Sequence, residues 1–152
     1  MSELNFDVEL KWSGTGEHGS GELNGEEIGL ELSGPESMGG RGTGTNPEEL
    51  LVSAVSSCFT ATLFGVLDRA DLPVDSLAVA ATGTVTGFPG RARFDRLVVN
   101  PTIVGADTAR QEDYEAAAAK AHNRCLIGNA LSADVTYEVG SVLTVSESEA
   151  RA

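Results

Sequence analysis

The feature that most constrains this chain is the segment that begins at Thr45-Asn46-Pro47-Glu48-Glu49 and stays apolar to about residue 69. Asn46 suits the N-cap and Pro47 the first helical position, and Glu49 follows the cap by three as in a capping box. Glu48 and Glu49 also favour the positive end of the helix dipole. Leu50, Leu51, Val52, Ala54, Val55, Phe59, Leu63, Val66 and Leu67 then leave little polar surface beyond small Ser and Thr residues. A helix without a wet face has to be surrounded, so a buried central helix is expected, ended by residues 71–73. Small residues crowd around Cys58 (Ser53, Ala54, Ser56, Ser57, Ala61, Thr62) and would let another backbone approach closely.

The remaining elements read as strands and one further helix. Leu4, Phe6, Val8, Leu10 and Trp12 alternate with polar residues, the period-two pattern of a half-buried strand. Asn24-Gly25 offers a two-residue hairpin turn, and Ile28, Leu30 and Leu32 alternate again, which predicts a three-stranded antiparallel meander. Residues 34–44 form a loop with five glycines, one proline and Arg41 as its one cation. Residues 77–87 and 94–103 read as strands around turn chemistry at 87–90. Thr108 with Gln111 predicts the cap of a second helix ending near His122-Asn123. A short helical turn over 125–131, a strand through Val135, Tyr137 and Val139, and a segment 142–145 follow. The order βββ-α-ββ-α-β predicts an α+β fold, a mostly antiparallel sheet wrapped on one buried helix. One domain over 1–145 is expected, with 146–152 as a disordered acidic tail.

Composition narrows the function. The chain has 152 residues, enough for one core, and a formal net charge of −13. That charge repels phosphate backbones and anionic membranes, so neither nucleic acid nor membrane is an expected partner. Fully apolar runs are too short for a transmembrane helix, and residues 1–9 lack the form of a signal peptide. A cytoplasmic location is expected, and two cysteines are too few for a disulfide scaffold.

Cys58 and Cys125 are the residues best suited to chemistry. Cys58 lies midway along the apolar helix, where a free cysteine is often only a small core residue. Cys125 follows a helix end, where free N–H groups could lower its pKa. As the only two cysteines they permit a redox pair, although no spacing rule brings them together. His122, three before Cys125, admits a Cys–His dyad, and His18, His122, Cys58 and Cys125 admit a zinc set. The spacing favours neither, because no Cys-x-x-Cys pair is present.

The stretch Gly42-Thr43-Gly44-Thr45-Asn46-Pro47-Glu48-Glu49-Leu50-Leu51, with Cys58-Phe59 beyond it, resembles the OsmC/Ohr family of osmotically inducible and organic hydroperoxide resistance proteins. Ala121-His122-Asn123-Arg124-Cys125, then Asn129-Ala130 and the closing strand, extends the resemblance over essentially the whole chain. The resemblance implies an intertwined homodimer and a thiol-dependent peroxidase that needs no cofactor and no metal. It makes Cys58 the peroxidatic nucleophile and Cys125 the resolving thiol that closes a disulfide. Glu48 matches the family's acidic site residue, which pairs with an arginine. An organic hydroperoxide is the implied substrate. An external dithiol, a lipoylated protein in the organic-hydroperoxide branch, is the implied reductant.

Two departures stand out. Organic-hydroperoxide members carry an arginine in the early glycine-rich segment, whereas residues 14–21 here have none. Arg41 is the expected substitute, with Arg124 as a lesser candidate. Leu126-Ile127-Gly128 stands where many members have Pro-Tyr-Ser. Trp12, Phe6 and Phe59 are expected in the core, although Phe59 and Met38 could also line an apolar peroxide pocket. Two other functions fit the same residues. One is a non-catalytic binding protein with an apolar pocket at the dimer interface, and the other is a Cys–His hydrolase or transferase.

Overall fold

The computed structural model describes residues 2–152, which divide into two compact units. The first ends at Leu50 and the second is Leu51–Ala152.

In the first unit, β1 (Val8–Ser13), β2 (Ser20–Gly25) and β3 (Gly29–Ser33) form an antiparallel meander in the expected order. The strand begins later than its alternation suggests, and Leu4 and Phe6 lie before it, exposed. Val8, Leu10 and Trp12 are exposed too, so β1 is not half-buried within one chain. Phe6 and Trp12 are therefore not core residues, contrary to expectation. The hairpin turn is also displaced: Gly25 N–H donates to Ile28 O (2.8 Å), which leaves Glu26 and Glu27 at the tip. Neither Asn24 nor Gly25 has a positive φ. Gly25 serves close packing instead, since a Cβ there would lie 2.9 Å from Ile28 Cγ2. The glycine loop is pinned to β3, where Ser33 Oγ donates to Thr43 O (2.8 Å) and accepts from Thr43 N–H (2.9 Å).

Helix α1 (Pro47–Arg69) starts at the expected cap, with Asn46 Oδ1 accepting from Glu49 N–H at 2.8 Å, but the Glu49 carboxylate takes the Thr45 hydroxyl (3.0 Å) instead of closing a capping box. Its burial differs from the prediction. Val55, Phe59, Leu63, Val66 and Leu67 form a single buried stripe at helical spacing, while Ser53, Ala54, Ser57, Ala61 and Phe64 stay exposed. By length and composition α1 is apolar enough to cross a bilayer, against expectation, but its stripe is core.

In the second unit that stripe meets Leu97, Val99 and Ile103 of β5 (Arg93–Val104) and Tyr114, Ala117, Ala118 and Ala121 of α2 (Gln111–Arg124). Strand β4 (Ser76–Thr86) pairs antiparallel with β5, while β6 (Thr136–Val139) and β7 (Leu143–Val145) pair parallel to it. Thr108 does not cap α2. Asp107 Oδ1 caps a 3₁₀ turn at Thr108–Arg110 instead, accepting from Ala109 N–H at 3.2 Å. Gln111 ties α2 to the β7 region, donating to Val142 O (2.9 Å) and accepting from Thr144 Oγ1 (2.6 Å). After Cys125 the chain makes a 3₁₀ turn at Gly128–Ala130. Where an acidic tail was expected to be disordered, Ser146 and Glu149 close a capping box on a helical turn, α3 (Glu147–Ala150).

Candidate active site

Cys58 is carried midway along α1, half-buried at the edge of the core stripe. Its carbonyl accepts from Thr62 Oγ1 at 2.8 Å. Cys125 is the residue that follows α2. Helix α2 stops at Arg124, and Cys125 turns extended (φ −67, ψ 104), its N–H returning to His122 O at 3.3 Å. That turn drives its side chain into the core, where it is fully buried beneath α1. The Cys125 thiol makes a long 3.8 Å contact toward Val55 O and accepts from Gly128 N–H at 3.3 Å. The two thiols lie near enough for each to shift the acidity of the other, and both are free.

Their surroundings are unequal. Burial pushes the Cys58 pKa up, but the backbone N–H of Ile127, the Cys125 thiol, the backbone N–H of Leu126 and the Thr62 hydroxyl outweigh it. The balance leaves Cys58 below an ordinary cysteine, and no cation contributes. Burial raises Cys125, and Tyr137 and Gly128 offset it only in part. A negative charge on Cys58 raises Cys125 further. Such a pair ionises at Cys58 first and keeps a proton on Cys125.

Tyr137 of β6 completes the cluster. Its ring is held by His122 (centroids 4.3 Å apart) and by Gly128, where a Cβ would come within 2.1 Å of Cε2. The fixed backbone contact explains why residue 128 is glycine. His122 donates Nε2–H to Tyr137 O at 2.8 Å, so its imidazole braces β6. This engagement accounts for His122 without a Cys–His dyad. His18 sits in the first unit, exposed beside Glu17. Phe59 is fully buried core and lines no surface, and Met38 belongs to the loop of the first unit. Arg124 is exposed at the end of α2.

Glu48 and Arg41 both belong to the first unit. Arg41 is exposed in the loop before α1 and takes part in no ion pair among the described residues. Glu48 lies in the first turn of α1, with Oε2 buried and without a hydrogen-bond partner. Because Glu48 and Cys58 share one helix, ten residues separate them by about 15 Å along its axis.

Sequence reasoning marked Tyr137 only as a strand residue and Leu126-Ile127-Gly128 only as a departure from the family pattern, and gave none of them a part in the site. A backbone donor leaves no trace in side-chain identity. Gly128, three after Cys125, was the one available signal, since glycine so close to a reactive thiol marks a close approach.

An α+β frame that sets a lowered thiol on a long helix against a buried second thiol defines a dithiol class of protein. The chain belongs to the OsmC-like protein family, which matches residues 40–140. It is 27% identical over 142 residues to the uncharacterized protein YmaD of Bacillus subtilis, covering 91% of this chain and 94% of that one. Among solved structures it resembles an organic hydroperoxide resistance protein from Legionella pneumophila, with TM-score 0.72, 25% identity and coverage of 93% and 99% of the two chains. The fold is also that of OhrB, the organic hydroperoxide resistance protein of Bacillus subtilis, with TM-score 0.65, 20% identity and coverage of 90% and 98%.

Proposed function

We propose that this protein is a cytoplasmic, homodimeric thiol peroxidase that reduces organic hydroperoxides to alcohols in defence against oxidative stress. The observation that carries this reading is the juxtaposition of a lowered Cys58 thiol with a raised, buried Cys125 thiol. The Cys58 thiolate attacks the distal oxygen of the peroxide. The O–O pair leaves on the alkoxide, which takes a proton from solvent, and Cys58 becomes a sulfenic acid. Cys125 then displaces the hydroxyl as water and closes a disulfide. An external dithiol, such as a lipoylated protein, exchanges with that disulfide and leaves as its own oxidised form. Only sulfur and oxygen change oxidation state, so the cycle needs no metal or cofactor.

What the single chain leaves bare supports the dimer. Leu10 and Trp12 in the first unit, and Phe64 on α1 in the second, are large apolar side chains open to water. Glu48 is too far along α1 to serve its own Cys58, and its buried oxygen lacks a partner. In this reading Glu48 and Arg41 complete the site of a second chain, with Arg41 as the cation that steadies the thiolate. Fast consumption of cumene hydroperoxide by the wild-type protein with a dithiol reductant, abolished in Cys58→Ser, is the expected result. A fully active Cys58→Ser protein would overturn the proposal.

A further inference from the structure

Tyr137 presents a chemical oddity. Its hydroxyl is buried and closes no hydrogen bond of regular geometry, yet the group beside it is the Cys125 sulfur. Buried hydroxyls are rarely left without a partner, because the lost hydration is not recovered. A neutral thiol is a weak acceptor, and a thiolate is a strong one. The hydroxyl is therefore placed for a state of Cys125 other than the resting thiol. Burial, and then Cys125 itself, push the Tyr137 pKa well above its ordinary value, so the phenol stays protonated at neutral pH and is available to donate.

Gly128 N–H already donates to the same sulfur at 3.3 Å. The ring that carries the hydroxyl is locked by His122 on one side and the Gly128 backbone on the other. Opposing them, Val55 O faces the sulfur at 3.8 Å and suits only the protonated thiol. Thus one donor, Gly128 N–H, already serves Cys125, and the Tyr137 hydroxyl beside it has no partner while Cys125 is neutral.

We infer that Tyr137 is a positioning residue for the resolving step: its hydroxyl, with Gly128 N–H, receives the negative charge that Cys125 carries once it has given up its proton to attack oxidised Cys58. This rests on the peroxidase reading and assigns it a residue. In the step, an electron pair of the Cys125 sulfur forms the S–S bond. The Cys58 S–O bond breaks with its pair on oxygen. That oxygen takes the Cys125 proton and leaves as water, so the step needs no outside oxidant or reductant. Charge on Cys125 is transient, and a buried donor fixed beforehand needs no reorganisation to meet it.

The test is Tyr137→Phe, which keeps the ring against Gly128 and His122. The reduced protein is mixed with one equivalent of cumene hydroperoxide, and sulfenic acid (trapped by dimedone) and disulfide are followed by mass. Loss of the Cys58 thiol should be unchanged, while disulfide formation slows about tenfold, the usual weight of one hydrogen bond to a charged group. The dimedone adduct should rise accordingly. In a Cys125→Ser background the same substitution should leave the sulfenic acid lifetime unaltered. A Tyr137→Phe effect that persists without Cys125, or an unchanged rate of disulfide closure, would overturn the inference. Diamide oxidation closes the same disulfide without any peroxide, and Tyr137→Phe should slow it as well. If peroxide leaves both thiols untouched while the diamide effect holds, the peroxidase reading fails and the role of Tyr137 stands.

Discussion

Cys58 sits on α1 and Cys125 follows the end of α2, and their acidities are driven apart by what surrounds each sulfur. Around Cys58, donors outweigh burial; around Cys125, burial outweighs donors. Only the thiolate alkylates, so each rate rises with pH through the pKa of its thiol and then levels off. The lowered Cys58 should reach its plateau at a lower pH than an ordinary cysteine, and the raised Cys125 at a higher one. Peptide-resolved iodoacetamide labelling measures both curves, and coincident curves would refute the asymmetry. Gly128 is equally specific. A methyl there meets the Tyr137 ring at 2.1 Å, so Gly128→Ala should destabilise the fold by about 1–3 kcal/mol, read from chemical denaturation. The sequence marked both cysteines and Glu48 through their motifs. It did not mark Tyr137, because a tyrosine on an alternating strand looks like any other half-buried strand residue.

At the scale of elements, α1 does most to organise the second unit. Its N-terminus was legible down to the cap, because Asn46, Pro47 and Glu49 act through local backbone chemistry. Asn46→Ala should cost about 1 kcal/mol in thermal or denaturant unfolding. The burial of α1 was not legible, since periodicity measures how apolar a helix is and not what covers it. Between Glu49 and Asp68 its exposed side carries small residues and Phe64 rather than charges, a composition that suits a protein neighbour better than water. The same reason explains β1, whose alternation is real but whose apolar face is bare in one chain. The turn misplaced at Asn24-Gly25 and the cap misplaced at Thr108 share a different cause. In each, a neighbour takes the turn or cap: Glu26 and Glu27 form the hairpin tip, and Asp107 caps the turn before α2.

At the scale of the whole molecule, the account requires two chains, because a site that draws Glu48 and Arg41 from another subunit is incomplete in the monomer. Glu48→Gln and Cys58→Ser should each be inactive alone. Mixed and refolded together, they should recover on the order of a quarter of wild-type turnover, because half of the dimers then hold one intact site. No recovery beyond the parents would mean that each chain uses its own Glu48. The charge of −13 keeps the surface away from phosphate and leaves attraction between chains to apolar contacts, so association should tolerate high salt.

The most direct measurement is the fate of the two thiols. The reduced protein, freed of reductant, is given one equivalent of cumene hydroperoxide or hydrogen peroxide, and free thiols and intact mass are followed in time. The account predicts rapid loss of both thiols with a mass decrease of about 2 Da, faster with the organic peroxide, the signature of a Cys58–Cys125 disulfide. Two thiols that survive both peroxides would contradict it and leave a fold that holds the pair of cysteines without the chemistry.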